Sequence, residues 1–176
     1  ICSRPAASAA PIGIEVEQTS YAWSGDPNHE FVIVEYHMTR TGSSALSSYW
    51  AGVFCDWDVS AADLGSVDLE RHAMYLYNPA GGSYYGLALL GDATPQSVNF
   101  IHNPTYVYPN AAIDDGWKLR FLRGLVTINE ASPQDDWSMC CSAGPFDFSG
   151  GAEVTLAFAM VYGETLEDFL ASVDAA

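Results

Sequence analysis

Asp56 and Asp58 stand two residues apart in the stretch GVFCDWDVS, residues 52–60, with Cys55 before them and Trp57 between them. On an extended strand that spacing turns both carboxylates to one face. Joined by Asp63 or Asp68 from the following loop, they would offer the hard oxygen ligands that calcium takes. The pattern lacks the glycine and twelfth-position glutamate of an EF-hand loop. A structural reading competes with the calcium one: the aspartates end a strand and accept hydrogen bonds from turn amides while Trp57 packs in the core. Two carboxylates beside Trp50, Trp57, Tyr84 and Tyr85 also meet the coarse demands of glycoside hydrolysis, acids about 5 to 9.5 Å apart next to rings that stack on sugar. Any acidic, aromatic-rich β protein offers such pairs, so a carbohydrate-active enzyme is the weakest reading.

Other catalytic patterns are missing from the sequence. His29, His37, His72 and His102 show neither HxH nor HxxxH spacing, so they do not form a zinc motif. No GxSxG elbow places a serine for nucleophilic attack.

The four cysteines are Cys2, Cys55, Cys140 and Cys141, with no CxxC pair to supply a tetrahedral metal site. An even count in a lysine-poor, acidic chain predicts disulfides and an oxidising compartment. Adjacent residues on a strand point to opposite faces, so Cys140 and Cys141 are expected to bridge to different partners, one to Cys2 and one to Cys55. Which sulfur takes which partner stays open.

Lys and Arg number 6 against 22 Asp and Glu, a formal net charge of −16, and such a field repels nucleic acid. With 49% hydrophobic, 13% aromatic and only 16% charged residues, the chain reads as a folded domain and not as a disordered acidic tail. No apolar run of about 18 residues is present, so membrane insertion by a helix is not expected. The opening at Ile1, without Met, reads as a processed product or an excised piece.

The elements that must position these residues read as strands. IGIEVEQTSYAW and EFVIVEYHMTRTG flank a Gly/Pro/Asn turn as a hairpin, and LSSYWAGVFCDWDVS is a third strand. HAMYLYN and SYYGLALLG form a second hairpin, while SVNFIHN and PTYVYPN are short, proline-bounded edge strands. Residues 114–125 read as one short internal helix, with Trp117, Phe121 and Leu125 at helical spacing. Two more strands follow across Ser149-Gly150-Gly151. ETLEDFLASVDAA closes the chain as an amphipathic helix with a Thr165/Asp168 capping box. The expected fold is all-β, a mainly antiparallel sandwich or jelly roll with these two helices as covers. Residues 12–176 form its single domain, preceded by an extended arm over residues 1–11.

GVFCDWDVS with the strands before it, the GPFDFSGG turn and the closing GETLEDFL helix resemble uncharacterised β-sandwich modules of large secreted bacterial proteins. Those modules often sit beside subtilisin-like peptidase or adhesive domains with surface-anchoring signals. The resemblance covers about Ile14 to the C-terminus and implies export to the cell surface and an accessory or structural role.

The arm, SRPAASAAPIG, is rich in small residues and punctuated by proline, a composition that lies extended on another surface. Ile1, Pro5 and Pro11 are therefore expected at an interface, either linking copies of the chain head to tail or folding back on their own domain. Tyr84, Tyr85, Tyr106 and Tyr108 are expected to join that interface, since tyrosine suits surfaces that are part apolar and part wet. The functional expectation is a secreted, non-catalytic subunit that self-assembles into a homo-oligomer or filament. The alternative is an accessory module that binds polysaccharide or protein.

Overall fold

The computed structural model describes residues 12–91, 95–110 and 113–176. The arm, with Ile1, Cys2, Pro5 and Pro11, lies outside the described residues. Alternating apolar residues and Gly/Pro turns yield β1 (Ile14–Ala22), β2 (Phe31–Arg40), β3 (Leu46–Cys55), β4 (Asp63–Asp68) and β5 (Ala73–Tyr77). They continue with β6 (Tyr84–Leu90), β7 (Pro95–His102), β8 (Glu130–Asp135), β9 (Trp137–Phe148) and β10 (Glu153–Gly163). The helices are α1 (Asn103–Tyr106), α2 (Asp115–Leu122) and α3 (Leu166–Ala175).

All strand pairings among the described residues are antiparallel. Among the described residues, seven strands form one sheet in the order β1-β2-β10-β6-β5-β4-β8, and three form the other in the order β3-β9-β7. The chain is thus an all-β sandwich whose two sheets differ greatly in width.

Strand period decides what each face buries. Met74, Leu76, Leu87, Leu89 and Phe158 of the wide sheet meet Phe100, Met139 and Cys141 of the narrow one in the central core. The alternate residues Ala73, Ala88 and Ala159 face outward, and their small size lets α3 settle on the wide sheet through Phe169. Gly86 and Gly163 complete that seat, because a Cβ on either would fall within 3 Å of Phe169. On the far side of the narrow sheet, α2 lays Phe121 against Ile101 and Cys140.

The expected hairpins, the third strand and the closing helix are all present, and the Thr165/Asp168 capping box is formed in both directions. PTYVYPN departs from expectation: it forms α1 and a 3-10 turn at Tyr108–Asn110 instead of a strand. Pro104 occupies the first turn of α1, where its missing N–H leaves no bond broken. The short strands β4 and β8, DLGSVD and EASPQD, carry no alternating apolar pattern and take their form from their neighbours, β4 paired between β5 and β8.

Candidate functional site

β3 ends at Cys55, so Asp56 and Asp58 stand just beyond it, at the mouth of the sandwich. Asp136, immediately before β9, joins them: one carboxylate oxygen from each of the three lies within 4.8 Å of the others. The support beneath is fully buried. Asn103 Nδ2 donates to Asp136 Oδ1 at 2.6 Å and to Asp56 Oδ1 at 3.2 Å. Ser138 Oγ lies 2.9 Å from Asp56 Oδ1 and 2.7 Å from Asn103 Oδ1, and its single proton serves one of them. Asp56 and Asp136 so held, with Asp58 beside them, offer three oxygens that a hard divalent cation such as calcium can use.

Asp63 is not one of that set. It lies on β4, 3% exposed, and accepts from Ser60 Oγ at 2.6 Å. Burial foremost pushes its carboxyl above the usual range, the Asp136 charge adds to this, and the Ser60 hydrogen bond opposes it. Asp136 is the member that sequence reading missed. The signal available was Asp135-Asp136 at the head of an apolar strand, far along the chain from Asp56.

One histidine and the three described thiols are constrained as follows. His102 meets Asp135 Oδ2 at 2.9 Å through Nε2 and Thr105 Oγ1 at 2.6 Å through Nδ1. The same hydrogen bond holds the Asp135 carboxyl below its usual range. Burial and the Asp56 charge push the Cys55 thiol up to about 11. Burial foremost pushes Cys140 up to about 12 and Cys141 still further. Such thiols are poor nucleophiles at neutral pH.

Cys55, Cys140 and Cys141 are free thiols, which corrects the expected bridge from Cys55 to the adjacent pair. Strand register gives the reason. Cys55 pairs with Met139, while Cys140 pairs with Phe54 and Cys141 with Val53. Cys140 and Cys141 do face opposite ways, into the α2 cluster and the central core respectively. Cys141 therefore shares the Cys55 face but stands on the diagonal, roughly 7–8 Å away between Cα atoms and beyond disulfide reach. The expected bridge to Cys2 lies outside the described residues.

The four tyrosines do not gather on one surface. Tyr84 stacks on Tyr77 at 5.1 Å on the α3 side of the wide sheet. Tyr106 packs edge-on against Trp117 and Phe121 beneath α2. Tyr108 is 55% exposed. Tyr85 faces inward, between Tyr162 at 5.3 Å and Trp57 at 6.3 Å, and these three rings border an open groove of about 610 Å³ with Glu30 and Glu164. Nε1–H of Trp57 is buried there without an acceptor among the described residues.

A further surface was not anticipated. β1 is the terminal strand of the wide sheet, and eight of its nine residues are exposed. Val16 is 47%, Tyr21 40% and Trp23, just past the strand, 45% exposed.

The chain matches no protein family and no curated protein.

Proposed function

We propose that the chain is a non-catalytic extracellular structural module that pairs with a second copy of itself, edge to edge, through β1. The observation that carries this reading is the condition of that strand, terminal in its sheet among the described residues, with eight of its nine residues exposed and apolar side chains among them. Folded proteins ordinarily cover or blunt such an edge. The sequence placed the link between copies in the arm; β1 is the arm's immediate continuation.

The opposite edge, β8, carries Pro133 and is blunted by it. Within the wide sheet, one open edge and one blunted edge among the described residues favour a closed two-fold pair over a filament. An antiparallel register centred on Gln18 sets Glu17 opposite Thr19 and Glu15 opposite Tyr21 of the second copy, so no carboxylate faces another. The engaged nitrogens of His102 and the quenched thiols support a role without catalysis. The acidic composition and the resemblance to secreted modules support export. Calcium at Asp56, Asp58 and Asp136 would serve this module as a stabilising ion at the end of β3.

Light scattering on size-exclusion fractions tests the pairing. The natural chain is expected to reach twice its monomer mass as concentration rises. Gln18→Lys, which sets lysine against lysine at the two-fold, is expected to stay monomeric with an unchanged melting temperature. A natural chain that remains monomeric throughout would refute the reading.

A second reading has its own observation, the groove bordered by Trp57, Tyr85 and Tyr162 with Glu30 and Glu164. Rings and carboxylates so arranged suit a polysaccharide. Retention on a polysaccharide gel that Tyr85→Ala abolishes would favour this role.

A further inference from the structure

The outer face of the narrow sheet is incompletely filled. α2 is fastened there along one side, where its Trp117 and Phe121 rings pack on Tyr106 at 4.8 and 5.2 Å. Its end is tied to β9 by Ser142 Oγ, which donates to the Leu122 carbonyl at 2.8 Å. Between the helix and β3 a cavity of about 330 Å³ is left. Ile101, Phe121 and Cys140, each buried, make its deepest walls, and Ile113, Leu122 and the exposed Phe54 surround the opening. Packed proteins leave few voids larger than a water molecule, and concave apolar spaces of this size are where small molecules bind.

Charge narrows the choice of ligand. Lys118, half-exposed, is the one charged side chain among the described residues that line the cavity. The chain has 6 Lys and Arg against 22 Asp and Glu, yet Lys118, Arg120 and Arg123 all fall on α2 or the residue after it. Arg120 and Arg123 lie over the rings of Trp117 and Trp50 at 5.2 and 5.1 Å, which engages both. Lys118 has an exposed pair with Asp115 at 2.9 Å, and such a pair is exchanged at little cost. The Cys140 thiol in the wall is protonated at neutral pH and adds no charge of its own. A single ammonium matches a single carboxylate, whereas a phosphate dianion would meet that one cation beside the Asp114 and Asp115 carboxylates.

We propose that this cavity binds a free fatty acid of about eight to ten carbons, with its tail between α2 and β3 and its carboxylate on Lys118. The volume lies at the small end of the range for ligand sites, so it takes one acyl chain and not the two of a phospholipid. Burying each methylene removes apolar surface from water, so affinity climbs about fourfold per added methylene while the cavity has room. The proposal depends neither on pairing through β1 nor on the Trp57 groove.

Calorimetric titration of the full chain at neutral pH with hexanoate, octanoate and decanoate tests it, beside decanol and decyltrimethylammonium. One site is expected, with affinity rising along the carboxylate series, decanol about fivefold weaker than decanoate and the decyl cation weaker still. Lys118→Gln, a change at an exposed position, is expected to bring decanoate down to the affinity of decanol with the melting temperature unchanged. On binding, the methyl NMR signals of Ile101, Ile113 and Leu122 are expected to shift while that of Ile33, on the wide sheet, stays in place. A chain that binds none of the carboxylates, as it would if its own residues or a second copy filled the cavity, overturns the proposal. So does equal affinity for decanoate and the decyl cation, decanoate held as tightly by Lys118→Gln, or a shift at Ile33 with none at Ile101.

Discussion

Gly163 passes so close beneath Phe169 that a Cβ on the glycine would lie 2.2 Å from the Phe169 backbone nitrogen. α3 can therefore sit on the wide sheet only while this position has no side chain. Gly163→Ala is expected to lift the helix and cost about 2–4 kcal/mol, read as a fall in melting temperature. Gly25→Ala, which meets nothing within 4 Å, serves as the control and is expected to change little.

How much of this was legible in advance divides by distance along the chain. The Thr165/Asp168 box and the β5–β6 hairpin are set by neighbours, and their patterns stand in the sequence. Asp136 joins Asp56 only through Asn103 and Ser138, residues brought together by strand pairing, and no local pattern announces that meeting. β4 and β8 escaped notice because their partners, not their own apolar residues, make them strands. PTYVYPN has a strand's composition, yet the burial of Tyr106 against Trp117 and Phe121 decides for a helical turn.

Arg40 holds three carbonyls from two separate segments with one guanidinium. Arg40→Met leaves those carbonyls without their buried donor and is expected to cost about 3 kcal/mol in denaturant unfolding. Arg40→Lys keeps the charge but not the planar fork, so an intermediate loss is expected.

Calcium binding would offset the repulsion among Asp56, Asp58 and Asp136. Melting temperature is expected to rise with added calcium, and the rise is expected to vanish in Asp136→Asn. An equal response in the two proteins would leave these aspartates as strand-end residues.

The described thiols set a pH limit. Their folded values lie above the ordinary thiol range, at about 11 for Cys55 and about 12 for Cys140. The unfolded chain thus releases protons first as pH rises. The stability that the thiols contribute in the reduced protein is present in full below about pH 8.5 and is lost progressively above that. Denaturant midpoints measured between pH 7 and 10 are expected to fall for the natural chain and to fall less for Cys141→Ala, compared with its own midpoint at pH 7.

Pairing of β1 is opposed by the net charge of −16 on each copy. Association is expected to strengthen as salt shortens the screening length, the reverse of what attraction between opposite charges would give.

Hydrogen exchange along β1, followed over a dilution series at fixed salt, tests the pairing most directly. The account predicts that the outward-facing amides of β1 exchange slowly in concentrated protein and quickly on dilution, while β5 and β6 in the centre of the sheet do not change. Exchange in β1 that is equally fast at every concentration would contradict it.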